Sequence, residues 1–256
     1  MQPPNGPKWD HKFERKRGSW IYVPSISSRK YGNYVKKLLQ SHWTAPTFYY
    51  HLRKGGHVEA IKKHTSKSQY FFNIDISSFF DAINRSRVTR TIKPYTGYSI
   101  AREIARSSTI KVGEVFSLPY GFIQSPLLAS MCLSHSHLGN LLSHLDHRHD
   151  FQVSVYMDDI IVSGHCIESL NKTYIAVRDA TIKSGFQINE TKAHPPSQSC
   201  KSFNIQFSKT IMQITDERMA KFINAYHSAD NQHQRQGILT YVGTVNPTQT
   251  CQIEAS

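Results

Sequence analysis

Two adjacent acids in the middle of a run of β-formers constrain this chain more than any other feature. In Phe151-Gln152-Val153-Ser154-Val155-Tyr156-Met157-Asp158-Asp159-Ile160-Ile161-Val162-Ser163-Gly164, apolar residues flank the pair on both sides. That pattern predicts a hairpin with Asp158 and Asp159 at its tip. Ionised carboxylates so placed are costly to bury unless hydrogen bonds, cations or a metal compensate them. Neighbouring acids also repel, so both stay ionised comfortably only near positive charge. A second β-prone run, Tyr70-Phe71-Phe72-Asn73-Ile74-Asp75-Ile76, delivers Asp75 near the end of a predicted strand. Three oxygen donors with little soft ligation suit Mg²⁺ rather than zinc. A bare Asp-Asp pair is more often an ordinary polar turn, and only its company decides otherwise.

The rest of the chain alternates helical and extended segments. Residues 1 to 30 read as an arm with one strand at Trp20-Ile21-Tyr22-Val23. Helical spacing follows in Tyr34, Val35, Leu38 and Leu39. Residues 46–64 combine aromatics, a Gly55-Gly56 turn and a basic helix from near Val58. This is either a phosphate-facing surface or a solvated amphipathic helix. Residues 77–83 can open a helix, and residues 86–108 read as helices split at Lys93-Pro94 and Thr96-Gly97. An extended piece over 109–117 leads into the turn Leu118-Pro119-Tyr120-Gly121. One long helix of about 20 residues is expected from Ser125-Pro126 through Leu142. Beyond the hairpin come a helix over 167–184, a strand at 186–188, strands at 203–207 and 210–214, and a helical region from Asp216 to Val242. The order lacks a strict βαβ rhythm, so the fold class is α+β with an antiparallel sheet.

Composition narrows the partners. Lys and Arg number 31 against 18 acids, a formal charge of +13, which suits a polyanion such as RNA or DNA without proving one. The four cysteines, Cys132, Cys166, Cys200 and Cys251, lie far apart and read as free thiols of a reducing cytosol. No signal core and no long apolar run is present, so the expectation is a soluble cytoplasmic protein without membrane contact. His135, His137, His144, His147 and His149 crowd one region. They lack an HEXXH pattern or a suitably spaced cysteine, and fit a polar helix end better than zinc. Walker A, GxSxG and Rossmann signatures are absent, which removes support for kinase, hydrolase and dehydrogenase readings.

Four segments in order, FNIDISSFFDAI, LPYGFIQSPLLAS, VYMDDIIVSG and GFQINETK, resemble motifs A, B, C and D of reverse transcriptases. The resemblance covers roughly residues 15 to 250. It looks nearest to small prokaryotic members, those of retrons and phage-defence systems, through HLRKGGHVEAIKKH, the Phe79-Phe80 pair and the ending GILTYVGTVNP. It implies a right-hand polymerase fold with an antiparallel palm sheet, helical and strand fingers and a small helical thumb. On that reading 1–69 are arm and fingers, 70–85 palm, 86–116 a fingers and palm insertion, 117–214 palm, and 215–256 a short thumb.

The resemblance also implies roles. Asp75, Asp158 and Asp159 would hold two Mg²⁺ ions, with Mn²⁺ as a substitute and the Ile76 carbonyl as a further donor. Lys192 would stabilise or protonate the departing pyrophosphate; the plain alternative is a solvated surface lysine. Phe80, five positions after Asp75, would exclude a ribose 2′-hydroxyl, or else simply pack in the core. Tyr120, Gly121, Gln124, Tyr156 and Met157 would line the nucleotide site. Tyr120 departs from the Gln common in retroviral members and could stack instead. Arg53, Lys54, Lys62 and Lys63 form a patch for triphosphate and template. The implied activity is RNA-templated DNA synthesis, with an RNA template, its DNA product and dNTPs as partners; a dedicated non-coding RNA, a partner protein or a second copy are the further partners it implies. Rival readings are template-independent or protein-primed synthesis, and a polymerase-like RNA-binding scaffold.

Overall fold

The structure is a computed structural model that describes residues 1–16 and 18–255. Its N-terminal arm is an antiparallel hairpin, β1 (Trp9–Lys16) with β2 (Ser19–Pro24). The single strand expected there gains a partner whose charged sequence, WDHKFERK, conceals it. Ser25 caps α1 (Ile26–Gln40), its Oγ accepting the Ser28 N–H at 3.3 Å, and α1 buries Tyr31, Val35 and Leu39. A 3-10 turn at Tyr50–Leu52 precedes α2 (Gly56–Lys67) and β3 (Tyr70–Ser77).

The helix expected over 77–83 is a set of turns. Ser78 has φ +46°, and one Ala82 N–H to Ser78 carbonyl bond is not continued. Helices α3 (Arg85–Thr96) and α4 (Tyr98–Ser108) divide at Gly97, φ +77°. The expected split at Pro94 does not occur, because Pro94 sits inside α3, near its end. The extended piece is a hairpin, β4 (Ile110–Val112) with β5 (Val115–Ser117). The single long helix expected next is two, α5 (Ser125–Ser134) and α6 (His137–Asp146). Ser136 explains the break: its Oγ donates to the Leu133 carbonyl at 2.6 Å and accepts the Gly139 N–H at 3.2 Å, closing one helix and capping the next.

The acid-bearing hairpin follows as β6 (Phe151–Tyr156) and β7 (Asp159–Gly164), then α7 (Ile167–Lys183), β8 (Gln187–Ile188) and β9 (His194–Ser197). Next come β10 (Ser199–Ser202), β11 (Ile205–Ser208) and β12 (Met212–Ile214), an antiparallel three-stranded sheet. Phe203 and Asn204, φ +56° and +59°, make the turn between β10 and β11, so the strand expected from Phe203 starts at Ile205. The chain ends in α8 (Asp216–His227), α9 (Gln232–Val245) and α10 (Pro247–Glu254), so the helical region runs beyond Val242.

The chain divides into two units. The first comprises Met1–Tyr49, Ile76–Ser143 and Asp179–Ile188. In it α3 packs on α4 and α5, burying Val88, Ile92, Ile104 and Leu128, while Ile76 and Ser77 of β3 pair antiparallel with β8. The second comprises Tyr50–Asp75, His144–Arg178 and Asn189–Ser256. There β7 lies between β6 and the first part of β3, all antiparallel. Both faces of this ladder are covered. Phe71 and Ile161 join a core with Val58 and Ile61 of α2 and Ile205, Phe207 and Ile214 of the small sheet; Phe72 on the other face meets Tyr174 of α7, ring centroids 5.1 Å apart. Burial on two sides is why these strands read as apolar runs rather than alternating patterns.

Candidate active site

The ladder register brings the acids together. Asp75 on β3 is the direct partner of Asp159 on β7, and Tyr156 on β6 is the other partner of Asp159. Directly opposed residues of an antiparallel pair share a face, so Asp75, Asp159 and Tyr156 project to the same side. Met157 and Asp158 form the two-residue turn, with Met157 at φ +60°, a conformation that costs a non-glycine residue about 1–2 kcal/mol. The Met157 N–H donates to His51 Nδ1 at 3.1 Å. Burial holds His51 down to about 4, so the ring is neutral, and because the Met157 N–H can only donate, Nδ1 is the nitrogen that accepts. Tyr156 is ringed by His51, His57 and Phe203, with centroids 5.8, 5.6 and 5.3 Å away.

Asp75 is buried and held at three points. Asn189 donates its Nδ2 to Asp75 Oδ1 and its backbone N–H to the Asp75 carbonyl, both at 2.8 Å. The Asn189 carbonyl in turn accepts the Lys192 N–H at 3.1 Å, a turn that returns Lys192 Nζ to Asp75 Oδ2 at 3.0 Å. Asp159 is pushed up to about 7, first by burial and then by the charges of Asp158 and Asp75, with Lys192 opposing them. Burial works to lower the Lys192 ammonium, but its bond to Asp75 and the three carboxylate charges leave it raised. One ammonium thus faces three acids. Among the described residues no group of three or more His, Cys, Asp or Glu side chains is preformed as a metal cage. In this conformation Lys192 and Asn189 occupy the Asp75 oxygens. The donor chemistry still fits a hard divalent cation: every donor is a carboxylate oxygen, and their mutual repulsion is incompletely offset.

A polar contact absent from the sequence reading supports the hairpin. His64 on α2 is fully buried between two serines, Nδ1 2.6 Å from Ser163 Oγ and Nε2 2.8 Å from Ser154 Oγ. Ser163 donates onward to Ser68 at 2.8 Å, so it accepts from His64 Nδ1–H, and Nε2 accepts from Ser154. The visible signal was a histidine on the Val58, Ala60 and Ile61 face of a helix.

A family model described as reverse transcriptase (RNA-dependent DNA polymerase) matches residues 10–236. The chain belongs to the reverse transcriptase family. Solved reverse transcriptase and telomerase structures share its fold. A foamy viral protease-reverse transcriptase in complex with double-stranded DNA superposes with a TM-score of 0.52 at 17% identity, over 90% of this chain and 41% of that one. Telomerase from Candida albicans, in complex with a fragment of telomeric RNA, gives 0.51 at 10% identity, over 89% and 47%. Apo telomerase from Candida tropicalis gives 0.52 at 11% identity, over 83% and 42%. The chain therefore spans less than half the length of each of these proteins. No curated protein sequence matches it.

Within this reverse transcriptase fold, Asp75, Asp158, Asp159, Lys192, Tyr156 and Met157 all lie in the second unit. Arg53 and Lys54 are exposed there beside the 3-10 turn, with Lys62 exposed and Lys63 half-buried on α2; Arg53 lies over the Tyr50 ring, 4.9 Å from its centroid. The remaining positions are in the first unit. Ile76 is buried opposite Ile188. Phe80 is buried against Tyr120, ring centroids 4.5 Å apart. Gly121, φ +104°, makes its close approach to β2: a Cβ there would lie 2.2 Å from the Tyr22 carbonyl oxygen. Gln124 is buried at the start of α5, donating Nε2 to Ser108 Oγ at 3.1 Å. Of the clustered histidines, His135 is tied to the Tyr95 hydroxyl at 2.7 Å and the Met131 carbonyl at 2.9 Å.

Among the described residues no helix is both long and apolar enough to cross a membrane.

Proposed function

We propose that this chain is an RNA-directed DNA polymerase that extends a 3′-hydroxyl with deoxynucleotides. The observation that carries the reading is the Asp75–Asp159 register pair with Asp158 in the adjoining turn, one cluster of carboxylates, buried at Asp75 and half-buried at Asp158 and Asp159, inside a family fold. Asp75 and Asp158 are assigned as principal metal ligands, with Asp159 as a third carboxylate and the Ile76 carbonyl as a further donor. Bound there, Mg²⁺, or Mn²⁺ in its place, would make the attacking hydroxyl more acidic and offset charge on the leaving pyrophosphate. Asn189 fixes the Asp75 carboxylate in one orientation. Lys192, protonated and partly exposed, supplies a cation and a proton to the departing pyrophosphate. Phe80 is assigned to exclude the ribose 2′-hydroxyl. Tyr120, Gly121, Gln124, Tyr156 and Met157 would form the nucleotide surroundings, and Arg53, Lys54, Lys62 and Lys63 a template and triphosphate surface.

In family terms, 1–69 serve as arm and fingers, 70–85 and 117–214 as palm, 86–116 as an insertion and 215–256 as a short thumb. HLRKGGHVEAIKKH and GILTYVGTVNP support placing the chain with small prokaryotic members, retron-like or phage-defence-associated, acting in the cytoplasm in antiviral defence. A dedicated RNA template and its DNA product are the partners this reading implies.

The test is labelled dNTP incorporation on a primed RNA template with Mg²⁺, by the wild type and by Asp158→Ala with Asp159→Ala. Loss of incorporation with RNA binding retained supports the assignment. Equal incorporation by both proteins rejects it.

A further inference from the structure

The first unit carries a basic surface that the proposed chemistry does not use. One cavity of about 470 Å³ is lined by the cations Arg87 and Arg90 of α3 and Lys183 at the end of α7, with His135 and His137 where α5 passes into α6. A second, about 370 Å³, is lined by Arg85, Arg90, Arg102 and Arg106. Arg90 on α3 belongs to both, so the two form one continuous track across that helix. Among the described residues neither lining contains an Asp or Glu.

The cations are crowded, and among the described residues none of them is ion-paired. Burial, and then the charge of Arg106, holds Arg85 below its ordinary range. Arg87 is lowered too, chiefly by burial, with Arg90 adding to the effect against an opposing contribution from Cys132. No ion pair engages Arg90, Arg102, Arg106 or Lys183 among the described residues. Arg87 is pre-oriented, stacked 4.5 Å from the Phe186 ring centroid and donating to the Ser184 carbonyl. Such a set lacks counter-charge, and a multivalent anion supplies it.

Two features favour a nucleic-acid strand over a free phosphate. The track joins two cavities through a shared arginine, more than a single phosphate group needs. Tyr98, 58% exposed, lies among the arginines of the second cavity, where a ring offers a stacking surface to a base.

We propose that this α3-centred track is a second nucleic-acid site, which holds the sugar-phosphate backbone of an RNA strand and shares no residue with the carboxylate centre. It does not depend on the polymerase reading, since binding is measured without synthesis.

The test is fluorescence anisotropy of a labelled single-stranded RNA, without Mg²⁺ or dNTP, over a salt series. A triple variant, Arg90→Glu, Arg102→Glu and Lys183→Glu, is compared with Lys30→Glu, Lys37→Glu and Lys209→Glu, which carries the same charge change outside both cavities. The track variant should bind at least about tenfold more weakly than the control variant. Its salt slope should fall by about 2, at roughly 0.7 per lost phosphate contact on a single strand. Tyr98→Ala, which leaves the charge intact, should weaken binding about tenfold through lost stacking. Equal weakening by the two triple variants, with Tyr98→Ala unchanged, overturns the proposal. Displacement of the RNA by inorganic tripolyphosphate at equal phosphate concentration overturns it in favour of a free polyphosphate site.

Discussion

Lys192 Nζ lies 3.0 Å from Asp75 Oδ2, joining a side chain that is 57% exposed to one that is only 3% exposed. The pair therefore has one end in solvent and the other in the protein, and the buried carboxylate depends on an exposed ammonium. Replacing Lys192 by Met should lower kcat by about 10²–10⁴-fold, the range for a lost proton donor. Lys192→Arg should recover part of it. Thermal melting separates chemistry from structure: the Met variant should lose more stability in EDTA than in Mg²⁺. Equal melting losses in both would detach Lys192 from the metal-binding carboxylates.

His64 predicts an acid-side loss of stability. Burial, helped by the charge of Lys63, holds it at about 3, against about 6.5 in the unfolded chain. Above pH 6.5 it is neutral in both states and contributes no slope. Below that, the unfolded chain binds a proton that the native state refuses, so stability falls with pH, by about 1.4 kcal/mol per unit, until about pH 3. Urea titrations at pH 7, 6 and 5 should show a steeper decline for the wild type than for His64→Gln. Parallel declines would remove His64 as the cause.

Gly121 and Gly113 separate strain from collision. Both have positive φ, +104° and +59°, but an added Cβ meets the Tyr22 carbonyl only at Gly121 and nothing within 4 Å at Gly113. Gly113→Ala should cost about 1–2 kcal/mol from backbone strain alone. Gly121→Ala should cost more than this, because β2 must shift as well. Denaturation midpoints of the two variants give the comparison, and equal losses would mean that the arm yields freely.

Phe80 is tested by discrimination rather than by stability. As a buried ring packed at a tilt against Tyr120, its truncation to Ala should cost about 3–5 kcal/mol. Phe80→Val retains more volume and should raise the NTP to dNTP ratio of kcat/KM in primer extension. A folded Val variant with an unchanged ratio would reduce Phe80 to a packing residue.

The acidic hairpin was legible because β-formers surround Asp158 and Asp159 on both sides, and a strand carrying Asp75 near its end is equally plain. The register that makes Asp75 and Asp159 partners was not legible, since pairing between distant strands leaves no local mark. Helix breaks were missed where a side chain rather than a proline made them. Ser136 ends α5 by bonding backward and starts α6 by bonding forward, whereas Pro94 sits inside α3 near its end, where α3 carries on to Thr96. β1 was missed because its charges lie on an exposed arm, where apolar alternation is not required. The bond from Asn189 to Asp75 was hidden for the same reason as the register: 114 residues separate the partners.

The turn at Met157 and Asp158 has a consequence for how this hairpin can vary. Side chains alternate along a strand with a period of two, so one residue inserted into or removed from the turn would reverse the faces of everything beyond it. Asp159 would then point away from Asp75, and Ser163 away from His64. A substitution in the turn changes one side chain, whereas a change of loop length displaces every side chain beyond it, and the spacing between these strands is the dimension least free to drift.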